Sequence, residues 1–241
     1  TNQQYLINLR VHHLSNYQEL FHQETEMLVS FLQKRTDYHL LQINYQEIIG
    51  KKEPTPQDKI YSLYYHSELY QTMLGRIFEI HPLAFFQVNY ETATLIFQKV
   101  RDLITPNTLS TLVDVCCGVG VYSIVLADLF QNTIGIDSNP CNIKAAKSLT
   151  RLNNLEHKCE FIEGKVENEV PKLLSNNNIT VILNPSRSGI HEKLALFWRE
   201  NLAKVEQFIY VSCNPKTLVR DLQRMNICLE DILEIIPVNQ F

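Results

Sequence analysis

A chain of 241 residues, 45% hydrophobic and 20% charged, can bury a substantial core as one large domain or two small ones. Its longest apolar runs, such as Ile179–Leu183, are too short to cross a bilayer, which argues against a membrane-spanning class and a membrane partner. The net charge of -4 provides no bulk attraction for nucleic acid, so an RNA partner has to rest on a local basic patch and on the chemistry of a site.

The chain opens Thr1-Asn2-Gln3-Gln4, with no signal or transit features, as though cut from a longer protein. The six cysteines (Cys116, Cys117, Cys141, Cys159, Cys213 and Cys228) form no Cys-x-x-Cys pair and stand beside no histidine cluster at zinc spacing. Free thiols in a reducing, intracellular compartment are expected, either mitochondrial or cytoplasmic and nuclear, with no metal site. Nothing in the pattern calls for an oligomer, and a monomer is expected.

In chain order, residues 5–11 alternate like a strand, and residues 17–35 have the period of an amphipathic helix. Leu20, Met27, Leu28, Phe31 and Leu32 form its stripe, which is expected to be core. Residues 39–45 are a second strand, and 51–59, with Pro54 and Pro56, a polar loop. Asn89 is placed to cap a helix running to Ile104. Beyond it, strands at 112–116, 133–137, 158–162, 179–184, 207–212 and 232–238 alternate with helices at 122–130, 141–153, 166–174, 192–202 and 215–225. This alternation predicts an α/β fold with a doubly wound, mainly parallel sheet, preceded by a small α/β domain. The expected division is 1–84 and 85–241, and ligands should lie beyond the carboxyl ends of the strands.

Three motifs fall at such strand ends. Asp114-Val115-Cys116-Cys117-Gly118-Val119-Gly120 closes one strand and opens a helix at Val121, where glycines let the backbone turn tightly and approach a ligand. It lacks the dinucleotide spacing Gly-x-Gly-x-x-Gly. The next strand ends in Asp137, 17 residues after Gly120, where a carboxylate can accept from both hydroxyls of a ribose. Asn184-Pro185-Ser186-Arg187 ends the fourth strand: an amide beside the cofactor and a guanidinium for a phosphate or a base. Ser212-Cys213-Asn214-Pro215 ends the fifth, with the thiol at a helix amino terminus, where the dipole favours thiolate. Each motif alone also reads as an ordinary turn, and a lone cysteine is usually a small buried hydrophobe. What singles out Cys213 is its place at the cleft end of a strand beside Asn184. Phe85-Phe86-Gln87-Val88-Asn89, alone, is aromatic packing and a cap.

Taken together, and in this order, these segments resemble the S-adenosylmethionine-dependent 5-methyluridine methyltransferases of tRNA and ribosomal RNA. The resemblance covers about 85–240 strongly and 1–84 weakly, and Asn184 in place of an aspartate resembles the animal, mitochondrial-type branch. It implies a Rossmann-like methyltransferase domain. It also implies S-adenosylmethionine held by Gln87, Asp137 and Asn184 and by the turn of Asp114, Cys116, Gly118, Gly120 and Val121, and Cys213 as the nucleophile that adds to C6 of uridine. Arg187, Lys216 and Arg220 are the expected phosphate patch for RNA; a solvated helix face is the alternative. Three departures stand out: Lys165 where the family has an acid, Ser186 where it has a second proline, and a general-base glutamate expected beyond Phe241. Two rival readings stay open. One is an amino-group methyltransferase of adenine or guanine, which needs no cysteine; the other is an RNA-binding or chaperone module without methylation.

Overall fold

The computed structural model describes residues 3–12, 18–35, 38–48, 60–80, 89–174 and 178–239. Two compact units are present, one of residues 1–71 with 78–84, the other of 72–77 with 85–241.

In the first unit, β1 (Gln3–His12), α1 (Gln18–Gln33) and β2 (Tyr38–Ile48) form a parallel crossover, and β3 (Ile60–Tyr65) adds antiparallel to β2. β2 is central and buried on both faces, from Leu40 through Asn44. The α1 stripe is corrected here: Leu20, Met27 and Phe31 are exposed, whereas Thr25 is buried and Phe21, Leu28 and Leu32 are partly so. The helix is rotated so that Phe21 meets Tyr45 of β2 edge-on, with ring centroids 4.9 Å apart, a contact helical period alone cannot foresee. A short hairpin, β4 (Tyr70–Met73) and β5 (Arg76–Glu79), follows. Its tip belongs to the second unit, where Ile77 exchanges two backbone bonds with the Asn153 amide.

The second unit opens with α2 (Tyr90–Leu103), capped by Asn89, whose side chain accepts from the Thr92 N–H. Five parallel strands follow in the spatial order β10-β9-β6-β7-β8: β6 (Asn107–Val115), β7 (Phe130–Asp137), β8 (Cys159–Glu163), β9 (Ile179–Leu183) and β10 (Gln207–Tyr210). Between them run α3 (Val121–Val125), α4 (Pro140–Leu152), α5 (Val166–Leu173) and α6 (Glu192–Asn201), with α7 (Pro215–Met225) after β10. The chain moves outward from β6 to β8, then returns to β9 on the other side of β6. This reversal is the switch point at which a doubly wound sheet opens a ligand cleft. Every residue of β9 is buried, as a central parallel strand requires, and Val113, Val115, Val181, Leu183, Leu194 and Trp198 form the core beneath the cleft.

Asn139 caps α4 and Asn214 caps α7, each accepting from the N–H two residues on, and each is followed by a proline at the first helical position. Two expectations change. The helix foreseen at 122–130 stops at Val125; a 3-10 turn, Ala127–Leu129, intervenes, and Phe130 already belongs to β7. Residues 232–238 are not a strand: after a 3-10 turn at Leu229–Asp231 they run as irregular backbone, with Leu233 and Ile235 exposed. Alternating apolar residues make a strand only where a neighbouring strand takes their backbone bonds, and β10 ends the described sheet. No helix among the described residues is long and apolar enough to cross a membrane.

Candidate active site at the carboxyl edge of the sheet

β6 delivers Cys116 and the glycine turn to the cleft. Cys116 has a positive φ of 63°, rare for a residue with a side chain, and Gly118 and Gly120 follow at 56° and 79°. A side chain at Gly120 would strike the Phe161 ring at 2.5 Å; the ring packs α3 against β8 through the missing Cβ. At Gly118 a Cβ would meet nothing within 4 Å, so the backbone there faces open cleft that a ligand can approach.

Asp114 underpins this turn from below. Its carboxylate is buried and accepts from the Ser123 N–H (3.1 Å) and hydroxyl (2.9 Å), tying the end of β6 to α3. It does not open to the cleft; it holds the turn from within the core. Burial is the largest effect on this acid and raises it from 3.8 to about 7, against the lowering effect of the two Ser123 bonds. A folded-state value above the unfolded one means that folding retains a proton. The contribution to stability is therefore full below 3.8 and is lost as pH rises through about 7. Asp114→Asn is accordingly expected to flatten the stability profile between those limits. Urea midpoints of both proteins across that range check it, and parallel profiles would contradict it.

Asp137, at the end of β7, accepts from the Gly118 N–H (3.0 Å), the Asn139 N–H (2.8 Å) and the Asn142 amide (3.2 Å). A carboxylate has about four acceptor positions, so these three leave room for one more hydroxyl; a second requires Asn142 to let go. Beside Asp137 lies a cavity of about 260 Å³ whose lining includes Cys116, Ser138, Lys165, Val166 and Glu167. Glu167, in the first turn of α5, was not singled out from the sequence; its signal was an acid two residues past Lys165, where the resemblance led one to expect an acid.

The Asn184 and Cys213 motifs are brought side by side. The Asn184 N–H bonds the Val115 carbonyl, and the Val211 N–H bonds that of Leu183, so both segments leave the sheet as neighbours. The Arg187 carbonyl then accepts from the Asn214 amide and the Thr217 hydroxyl, each at 3.2 Å. The Ser212 hydroxyl takes the Asn214 N–H (3.2 Å) and donates to its carbonyl (3.1 Å), closing a turn around Cys213, whose side chain is exposed.

All six cysteines are free. Burial, aided by Asp137, Asp114 and Glu167, holds the Cys116 thiol up at about 12, and burial raises Cys117 and Cys159 as well. These three stay protonated at neutral pH; Cys213 is exposed, in the turn between β10 and α7.

Arg187 and Lys216 are exposed, but Arg220 is largely committed. Its Nε and Nη2 bond Asp221 Oδ1 at 3.0 and 2.7 Å, and Nη2 also reaches the Ser188 carbonyl. Asp221 is fully buried, and its Oδ2 also accepts from the Ile190 N–H (2.9 Å) and the Tyr210 hydroxyl (2.7 Å). Burial and this bond to Asp221 push the Tyr210 hydroxyl's pKa up. Gly189 makes the knot possible, since a Cβ there would lie 2.2 Å from Asp221 Oδ2. No sequence signal pointed to Asp221. Gln87 lies outside the described residues. Among those described, no group of three or more His, Cys, Asp or Glu side chains is placed to hold a metal ion.

The fold and the cleft thus define a class: an α/β domain with a ligand turn at the switch point of a doubly wound sheet. Residues 107–235 match the methyltransferase domain family, and the chain belongs to it. Over 175 residues it is 34% identical to tRNA (uracil-5-)-methyltransferase homolog B of Danio rerio, an overlap of 71% of this chain and 36% of that protein. Over 151 residues it is 34% identical to the human homolog A, covering 61% of this chain and 24% of that one. The chain therefore spans about a third or less of the length of these relatives. Among solved structures it resembles the Pyrococcus abyssi tRNA (uracil-54, C5)-methyltransferase in complex with S-adenosyl-L-homocysteine. The TM-score is 0.60 at 26% identity, over 75% of this chain and 44% of that one.

Family membership implies S-adenosylmethionine as cofactor, and the residues present fit it. The backbone at Gly118 opens on free space, Asp137 keeps an acceptor for a ribose hydroxyl, and the adjoining cavity has an acid, Glu167, and the Val166 side chain for an adenine ring.

Proposed function

We propose that this chain is the catalytic part of an RNA methyltransferase that modifies C5 of uridine in tRNA or ribosomal RNA, with Cys213 as nucleophile. One observation carries the reading. The exposed Cys213 thiol stands on the same sheet edge as the Gly118–Asp137 cleft, held beside Asn184 by the Asn214 and Thr217 bonds to the Arg187 carbonyl.

C5 of uracil is a weak nucleophile. Addition of the Cys213 sulfur to C6 forms a C–S bond and moves the C5–C6 electron pair toward C5 and O4, and C5 can then take a methyl group. S-adenosylmethionine supplies that group as an electrophile. Loss of the C5 proton and departure of the Cys213 sulfur restore the ring; the resemblance gives the proton to a glutamate beyond Phe241. The uridine has to leave its stack to reach the thiol, and Arg187 and Lys216 are exposed beside it to meet phosphates. Arg220 serves this site through the Asp221 knot, as a clamp on the 186–190 loop.

The relatives named as tRNA (uracil-5-)-methyltransferases support this reading over an amino-group methyltransferase, as does Arg187 where such an enzyme uses an aromatic side chain. The test is methyl transfer from labelled S-adenosylmethionine to RNA by the complete protein, followed by nucleoside analysis. 5-Methyluridine is the expected product; a methylated adenine or guanine would contradict the proposal. A second expectation concerns binding. Asp137→Ala removes the remaining acceptor and the anchor of the Gly118 turn, and should weaken S-adenosylhomocysteine by roughly 1.5–3 kcal/mol in calorimetry. Equal affinity would take Asp137 out of the cofactor site.

A further inference from the structure

A second hollow, of about 470 Å³, lies beside the Arg220–Asp221 knot, between the 188–190 loop, the start of α6 and the outer side of α7. The cofactor and the nucleophile do not use it. Its lining carries Arg224, Arg220, His191 and Glu192. Arg224 makes no hydrogen bond or ion pair among the described residues, and Arg220, though anchored by Nε and Nη2, keeps both Nη1 hydrogens free. His191 Nδ1 accepts from the Lys193 N–H at 3.2 Å, which leaves its Nε2 as the donor turned outward. Lys216, Arg220 and Arg224 follow at every fourth position of α7, about 6 Å apart along its axis, so the hollow lies at the far end of a line of cations that starts beside Cys213.

We infer that this hollow binds a ribose–phosphate unit of the RNA strand, a few nucleotides from the uridine at Cys213. This rests on the proposed function and extends it. Arg224, Arg220 Nη1 and His191 Nε2 are three donors for the oxygens of one phosphodiester. Glu192 is an acceptor on the same wall; it would repel a free dianionic phosphate but can take the 2′-hydroxyl that RNA carries and DNA lacks. Arg220 is held in place by a buried carboxylate, so little side-chain freedom is lost when the phosphate arrives.

The probe is a single-stranded, uridine-containing oligoribonucleotide, titrated into the chain at several salt concentrations. Arg224→Gln should weaken binding about tenfold at low salt and reduce the slope of log affinity against log salt by about 0.7, one phosphate's share for a single strand. Arg224→Lys should keep most of the slope, and Glu192→Gln should narrow the preference for RNA over the matching DNA. Unchanged affinity and slope in Arg224→Gln, with an unchanged melting temperature, would overturn the subsite, as would a wild-type chain that does not bind the probe. The chemistry at Cys213 is read separately, as covalent capture of a 5-fluorouridine RNA at saturating concentration. Capture retained by Arg224→Gln without any slope change removes the subsite alone; a changed slope without capture in the wild type removes the proposed chemistry alone.

Discussion

Cys213→Ala is expected to lower RNA methylation by the complete protein by a factor on the order of 10⁴ or more, while S-adenosylhomocysteine binds as before. The separation follows from where the two functions sit. The cofactor cleft is built from the ends of β6 and β7, with Gly118 bonded to Asp137, whereas Cys213 lies past β10 in a turn closed by Ser212 and Asn214. Its side chain is exposed and takes no part in the core, so alanine should leave the fold intact. Cys116 also lies at this sheet edge, but burial keeps it protonated. Single-turnover methylation with matched calorimetry checks this. Activity within tenfold of wild type would favour the amino-group rival; loss of cofactor binding would show a structural role for the thiol.

The second large effect should come from Asp221. Alanine there leaves the Ile190 N–H and the Tyr210 hydroxyl without their buried acceptor and Arg220 without its counter-charge. Each buried donor left without its acceptor costs about 1–3 kcal/mol, while Arg220, more than a third exposed, adds little; together this is a large share of a typical domain's stability. Asp221→Asn retains one acceptor oxygen and should lose roughly 1–3 kcal/mol. Chemical denaturation of the two variants gives the comparison. If alanine is no worse than asparagine, the carboxylate is not what holds the 186–190 loop to α7.

Asp221 also shows where reading the sequence stops. The parts set by local chemistry were legible: Asn89 marks a cap, strand and helix periods alternate from residue 112 onward, and the glycines of 114–120 mark a close turn. Each of these is decided within a few residues. What stayed hidden depends on contacts across the chain. Arg220 reads as a free cation on a helix face until a buried carboxylate beside it is seen to hold it. The α1 stripe reads as core until Phe21 meets Tyr45 and turns Leu20, Met27 and Phe31 outward. Residues 232–238 have a strand's pattern, but β10 ends the described sheet and no neighbour takes their bonds. The tyrosine-rich β3 and the short β4 and β5 carried too little alternation to be read at all. The same limit applies to Asp137: the sequence shows a carboxylate at a strand end, but not that three donors already fill most of its acceptor positions.

The central claim is that Cys213 attacks C6 of a uridine, and a trapped intermediate tests it most directly. RNA carrying 5-fluorouridine at the target position can be alkylated at C5 but cannot release fluorine as a proton, so the sulfur should remain bonded to C6. Incubating this RNA and S-adenosylmethionine with the complete protein, then measuring intact mass and mapping the digest, should give one methylated nucleotide adduct on the peptide containing Cys213, absent from Cys213→Ala. An adduct on another cysteine, or none from a preparation that makes 5-methyluridine in ordinary RNA, would contradict the account.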